Sequence, residues 1–337
     1  MPAIAQTFPL YFLNQGRYRQ NVINGGFDIW QRGESFIVRD SAQFCADRFK
    51  AANGGGGSRL YVNKYTIPID SVVRSKGIKH GMQLDSMTSG VDTYNPYILT
   101  IIPGAEYGAG GAVSVGMWLW ADSPITLVRV GLNRKYGTGG APSFKEPYIL
   151  STSLPLTTTP TFYEFSINLG SIEGKRFGTD GNDALELLLA FPRNTTFTVY
   201  TTGWQMNTGP RCLSFQPKTA GQELADCKRY FERINIQGKV APIWAYGQST
   251  SELCGTLIYA TKWKTPTSIT VDDVSLLEAI SVGSLIPING MTIDIFRLDE
   301  NSAKLQFTTT TSFSVNNVHV VTSDAATRNY FDVDAEL

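Results

Sequence analysis

Between residues 113 and 201 the chain repeats one pattern, an apolar side chain at every second position. Val113, Val115, Met117 and Leu119 alternate with Ser114, Gly116, Trp118 and Trp120. Tyr163, Phe165, Ile167 and Leu169 alternate with Glu164, Ser166 and Asn168, and Leu185, Leu187, Leu189 and Phe191 keep the same period, as do Phe197, Val199 and Thr201. Period two sends successive side chains to opposite faces of a strand, so each run has one face for a core and one for solvent or a partner. The runs are separated by turn clusters, Gly54-Gly55-Gly56-Gly57-Ser58, Tyr136-Gly137-Thr138-Gly139-Gly140 and Thr179-Asp180-Gly181-Asn182-Asp183, with no long helix between them. Short strands joined by such turns predict an all-β chain whose residues 21–215 form a jelly-roll-like β-sandwich.

A chain of 337 residues exceeds one ordinary core and suits two domains. Strand signals resume at 257–259, 269–271, 293–298, 304–309 and 318–321, which places a second, smaller β domain over residues 235–337. Thr308-Thr309-Thr310-Thr311 favours strand over disorder.

Residues 216–234 connect the two. Thr219 followed by Gln222 has the spacing of a capping box. Leu224, Cys227, Phe231 and Ile234 then recur at spacings of three and four, predicting a helix over 222–234 with those four on one face. Fewer than two heptads cannot make a coiled coil unaided. Two readings stay open: a surface helix packed on its own subunit, or a helix that meets its copies around a symmetry axis, with those four residues as the seam of a trimer interface.

The same stretch carries a resemblance. Gln205-Met206-Asn207-Thr208-Gly209, then Phe215, then Glu223-Leu224-Ala225-Asp226-Cys227-Lys228-Arg229-Tyr230-Phe231 resembles a strand–turn–helix junction of tailed-bacteriophage tail-fibre and related virion appendage proteins. Asn207 replaces the acidic residue of that turn, and Phe231 its last tyrosine. Upstream, Asn24-Gly25-Gly26-Phe27-Asp28-Ile29-Trp30-Gln31-Arg32-Gly33 with Ala46-Asp47-Arg48-Phe49 resembles the N-terminal signature of the same proteins, with Phe49 where they carry tryptophan. The resemblance implies a carbohydrate-binding-module-like sandwich and a homotrimeric virion fibre made in the bacterial host cytoplasm. It also implies a non-enzymatic role in host-surface attachment. Asp47 and Arg48 are read as structural, an ion pair holding the N-terminal strand. Residues 1–20, apolar and aromatic at Phe8, Leu10, Tyr11, Phe12 and Leu13, are expected to dock on other virion proteins, since such a tail is costly to leave in water. A head, collar or neck fibre or adaptor without a receptor is the alternative, and a polysaccharide depolymerase a more distant one.

Composition narrows the chemistry. With 29 basic and 29 acidic residues the formal net charge is zero, so no field steers the whole chain to nucleic acid or an anionic membrane. No apolar run reaches the length of a membrane span, and the N-terminus lacks the charged and apolar regions of a signal peptide. Cys45, Cys212, Cys227 and Cys254 show no metal spacing, and in a bacterial cytosol they start reduced. Two distant histidines, His80 and His319, support neither a metal site nor a catalytic triad. Gly170-Ser171-Ile172-Glu173-Gly174-Lys175 has the wrong spacing for a phosphate loop. Residues 179–183 offer oxygens but no calcium-loop spacing, and read as an Asp-Gly turn. No cofactor and no metal is expected, and no catalytic residue is assigned.

One candidate ligand site remains. If Val113, Val115, Met117 and Leu119 face inward, Trp118 and Trp120 face outward together, beside the small Ser114 and Gly116. Two such indoles form an apolar platform with polar N–H tips, suited to the apolar face of a pyranose ring. Tyr94 and Tyr97, in the loop Tyr94-Asn95-Pro96-Tyr97, extend the platform if the strands align. A subunit interface, or packing under a loop, explains the same tryptophans without a ligand.

Overall fold

In the computed structural model of the chain the described residues are 21–39, 41–88, 91–236, 243–273, 275, 277–281, 284–287, 292–308, 318–323 and 329–336. The expected docking segment, residues 1–20, lies outside them. The chain divides into two units, Met1–Glu223 and Leu224–Leu337.

The first unit is built from β1 (Ser35–Val38), β2 (Gln43–Phe44), β3 (Phe49–Ala52), β4 (Arg59–Thr66), β5 (His80–Met87), β6 (Tyr97–Pro103), β7 (Ala112–Ala121), β8 (Ile125–Lys135), β9 (Glu146–Leu156), β10 (Thr161–Asn168), β11 (Ala184–Ala190) and β12 (Phe197–Thr208). They form two six-stranded sheets, ordered β1-β4-β5-β12-β7-β10 and β2-β3-β6-β11-β8-β9. The pairings are antiparallel. Alternation decides which side faces the partner sheet. Val113, Val115, Met117 and Leu119 are fully buried, and so are Leu185, Leu187 and Leu189. They meet Leu60, Val62, Met82, Leu84, Ile98, Val130 and Leu132 in one core. This is the expected β-sandwich.

The helix is shorter than its apolar spacing predicts. The capping box forms: Gln222 N–H donates to Thr219 Oγ1 at 3.3 Å, and Thr219 N–H to Gln222 Oε1 at 3.2 Å. But α1 spans only Ala220–Lys228, where a helix over 222–234 was expected. Tyr230 N–H closes a turn on Cys227 O at 2.9 Å, and the chain leaves as a strand.

In the second unit that strand is β13 (Phe231–Asn235). It is followed by β14 (Ile243–Ser249), β15 (Glu252–Ile258), β16 (Ser268–Val271), β17 (Leu277–Ser281), β18 (Ser284–Pro287), β19 (Thr292–Leu298), β20 (Ser302–Thr308), β21 (Val318–Ser323) and β22 (Tyr330–Asp334). A three-stranded sheet runs β13-β22-β16, and a seven-stranded one β18-β17-β21-β14-β15-β20-β19. Arg233 lies opposite Asp332 and forks onto its carboxylate at 2.7 and 2.6 Å. Glu232 turns to Lys262 Nζ at 3.0 Å and Ala260 N–H at 2.7 Å. These long-range partners outweigh a helical spacing that would have left them unmade. Leu224 and Cys227 therefore lie on the helix, Phe231 and Ile234 on β13. The four do not form one helical seam, and Cys227 and Phe231 are already buried within their own chain.

Candidate functional site

The two stretches that carry the resemblance are structural partners in the first unit. Trp204 N–H donates to Gly25 O at 3.0 Å. A Cβ on Gly25 would lie 2.0 Å from Trp204 O, so only glycine fits there. Asn24 N–H donates to Glu223 Oε1 at 2.6 Å, and Asn24 Nδ2 to Asp47 O at 3.0 Å. Phe27 packs on Phe49 with ring centroids 4.4 Å apart, and Phe49 meets Trp204 edge-on at 5.3 Å. Asp47 accepts from Gln31 N–H at 3.1 Å and lies 3.8 Å from Arg32 Nη1, while Arg48 Nη2 donates to Ile101 O at 2.6 Å. Asp47 and Arg48 are each about 1% exposed. The motif is a buried, hydrogen-bonded lock at Asn24, Asp47 and Arg48 rather than an open ligand site.

The tryptophans lie on the outer face of the first sheet, as the burial of their neighbours requires, but that face is covered. Trp120 is 8% exposed and packs with Ile67, Val73 and Ile78 from the segment between β4 and β5. Trp118 is half-buried, 5.6 Å from the Phe162 ring, and with Phe162, Gln205, Cys212 and Phe215 it lines a pocket of about 400 Å³. Gly116 makes room there, since a Cβ would meet Phe162 at 2.5 Å and Cys212 Sγ at 2.8 Å. Burial pushes the Cys212 thiol up to about 11, which leaves it a poor nucleophile.

Tyr94 and Tyr97 belong to the opposite face of the sandwich. The expectation that they extend the tryptophan platform is corrected by the topology: β6 pairs with β3 and β11 in the second sheet, whereas β7 belongs to the first. There the two tyrosines line an open cleft of about 610 Å³ with Leu99, Arg129, Asn133, Lys135, Lys145, Glu186, Leu188 and Ala190, a volume in the range of ligand sites.

Strand register builds this cleft. Core positions of β6, β8 and β11 point inward, so the residues between them line up outward in rows. One row is Tyr97–Ala190–Arg129, the next Leu99–Leu188–Gly131, the third Ile101–Glu186–Asn133. Ala190 is a slot between two long side chains whose strands stand roughly 10 Å apart, twice the usual spacing. Leu188 and Leu99 form an apolar floor. Tyr94, 42% exposed, stands at the end. Its loop is preset by Tyr94 N–H to Gly54 O at 3.1 Å and by a reciprocal pair, Asp92 N–H to Asn194 Oδ1 and Asn194 N–H to Asp92 Oδ2, both 2.7 Å. The glycine run makes this possible, for a Cβ on Gly54 would strike Asp92 Cγ at 2.4 Å.

Glu186 is the polar anchor. It is 5% exposed and holds Lys145 Nζ at 2.9 Å, with Lys135 Nζ on its other oxygen and Asn133 Nδ2 at 3.3 Å. Burial raises its pKa, but the hydrogen bonds and charges of the two lysines prevail and hold the carboxyl below its usual value. Burial, then the nearby Glu186 charge, raises the Tyr97 phenol, which stays protonated.

Other candidates resolve into structure. In the 179–183 turn Asp180 accepts from Thr138 Oγ1 at 2.7 Å and Asp183 from Ala105 N–H at 2.8 Å. Among the described residues no group of three or more His, Cys, Asp and Glu is placed to hold a metal.

No protein-family model and no curated protein matches the sequence. Solved structures overlap about half of it. The enzymatically active domain of tailspike protein 4 from bacteriophage CBA120 is 13% identical at a TM-score of 0.34, over 57% of this chain and 22% of that one. A putative sugar binding protein from Bacteroides thetaiotaomicron is 11% identical at 0.32, over 56% and 100%. A family 11 carbohydrate-binding module from Clostridium thermocellum, in complex with a mixed-linked tetrasaccharide, is 8% identical at 0.29, over 52% and 95%. At such scores the likeness carries no argument about ligand or assembly. The class is the one the fold defines: an antiparallel two-sheet β-sandwich with an aromatic and polar cleft on one outer face.

Proposed function

We propose that this chain is a non-enzymatic bacteriophage virion appendage protein, a fibre, that holds bacterial surface glycan in the cleft of its second sheet. The observation that carries the glycan half is the row Tyr97–Ala190–Arg129 beside the preset Tyr94. An aromatic wall, a small-residue slot and an apolar floor suit the C–H faces of a sugar, and the amide, carboxylate and cations at the rim suit its hydroxyls. The appendage half rests on the two motifs, whose residues make a structural lock. Threefold assembly, and docking on other virion proteins through residues 1–20, belong to the same proposal and rest on the resemblance alone.

A microarray of bacterial polysaccharides, probed with the intact chain and with Tyr97→Ala, tests the cleft. Wild type should bind a subset and the variant lose it. Immunogold labelling of virions tests location. Label at a head, collar or neck, with no polysaccharide bound, would favour the adaptor reading. Release of reducing ends from a bound polysaccharide would refute the non-enzymatic one.

A further inference from the structure

Resting on that cleft, we infer that its glycan is anionic, a polysaccharide bearing carboxylate or phosphate groups. Arg129, Lys135 and Lys145 line the cleft, and Glu186 is the one acidic residue among the described residues that do. The chain as a whole is formally neutral, so this excess of positive charge is local.

The arrangement also goes beyond what a lone buried carboxylate needs. A single ammonium neutralises Glu186, yet two converge on it, one from the end of β8 and one from the segment before β9. Glu186 is nearly closed to solvent, while the Lys135 and Lys145 side chains remain 45% and 43% exposed. Each ammonium has three donors, and the bond to Glu186 uses one. The carboxylate thus holds two flexible cations in fixed places, and the ordering that a ligand would otherwise impose is already made. Along β8, the Arg129 stem lies against Gly131, where a Cβ would come within 3.3 Å of Arg129 Cδ. That packing keeps the guanidinium on the same outer face. Beyond the rim Lys50 stands beside Leu99 in the strand register, and Arg193 caps Thr93 O at 3.3 Å next to Tyr94. A neutral sugar gains little from this local excess of positive charge. An anionic one exchanges hydrated ions for charge-assisted hydrogen bonds around an apolar floor.

The test is isothermal titration of the intact chain with four probes: polygalacturonate, a phosphomannan, neutral galactan and polyglutamate. One or both acidic polysaccharides should bind at least tenfold more tightly than galactan, with affinity falling as salt is raised. The two acidic probes separate carboxylate from phosphate recognition. Arg129→Gln should weaken acidic binding about tenfold; Lys145→Gln, which leaves Lys135 on Glu186, is the second variant if the first misfolds. Galactan bound as tightly as the acidic probes would overturn the inference and leave the glycan cleft standing. Polyglutamate bound as tightly would overturn it in favour of a general polyanion surface. Binding to none of the polysaccharides would remove both the inference and the cleft reading beneath it.

Discussion

Trp120 and Tyr200 stack face to face across neighbouring strands, ring centroids 5.2 Å apart and planes 9° from parallel. Tyr65 completes the cluster, 4.7 Å from Tyr200 and 6.2 Å from Trp120. Burial, then the neighbouring Asp122, pushes the Tyr200 phenol up to about 12. An indole engaged in this way holds the sheet's cover in place. Trp120→Ala should lower the unfolding free energy by about 3 kcal/mol, the low end for a buried tryptophan, and leave polysaccharide binding unchanged. Urea denaturation beside a binding isotherm checks both. Binding lost in a fully folded variant would move the site back to the first sheet.

Tyr97 has the opposite profile. It is half-buried on an outer face, and its loss leaves no core cavity. Tyr97→Ala should cost no more than about 1 kcal/mol in stability and weaken glycan binding about tenfold or more, as aromatic anchors do. Thermal unfolding and titration on the same preparation separate the two effects.

Acid should remove the stability that Glu186 lends to the cleft. Glu186 is held below the ordinary carboxyl value of 4.5 despite its burial. A carboxyl with a depressed folded pKa contributes stability that is whole above its unfolded value and is lost as pH falls through the folded one. Stability measured from pH 7 downward should be level until about 4.5, then decline. Glu186→Gln should flatten that decline. An unchanged slope in the variant would show that other carboxylates govern it.

In the second unit the sensitive point is Glu232. Its carboxylate takes Lys262 at 3.0 Å and Lys228 at 2.9 Å, and Lys262 is 2% exposed. Burial lowers the Lys262 pKa despite this partner. Glu232→Ala strands a buried cation and should cost about 3–5 kcal/mol. Phe231→Asp should likewise unfold this unit, since Phe231 is 2% exposed in the unit's own packing. Circular dichroism with light scattering distinguishes the outcomes. A folded unit that merely dissociates would restore Phe231 to an intersubunit seam.

Much of this was legible in the sequence where the information is local. The alternation around Val113–Leu119 marked a strand with two distinct faces but left open which one is inward, the Thr219–Gln222 spacing marked the helix start, and the strand signals near 257, 269, 293, 304 and 318 all mark real strands. The helix end was not legible, because Phe231–Asn235 is decided by pairing with Tyr330–Asp334, about a hundred residues away. Outward was also not the same as exposed: Trp120 points away from the core, yet residues 67–78 cover it. The cleft is assembled by register from three strands and a loop, so only Tyr94 and Tyr97 were visible in advance. One local signal was present, Glu186, a lone charge inside the apolar run from Leu185 to Leu189.

The most direct measurement sets Tyr97→Ala against Trp118→Ala on one polysaccharide that the wild-type chain binds. Both residues are half-buried aromatics on outer strand positions, on opposite faces of one sandwich. The cleft account predicts that Tyr97→Ala loses binding about tenfold or more while Trp118→Ala keeps wild-type affinity. Binding kept by Tyr97→Ala and lost by Trp118→Ala, with both variants folded, would contradict it and assign the glycan to the first sheet.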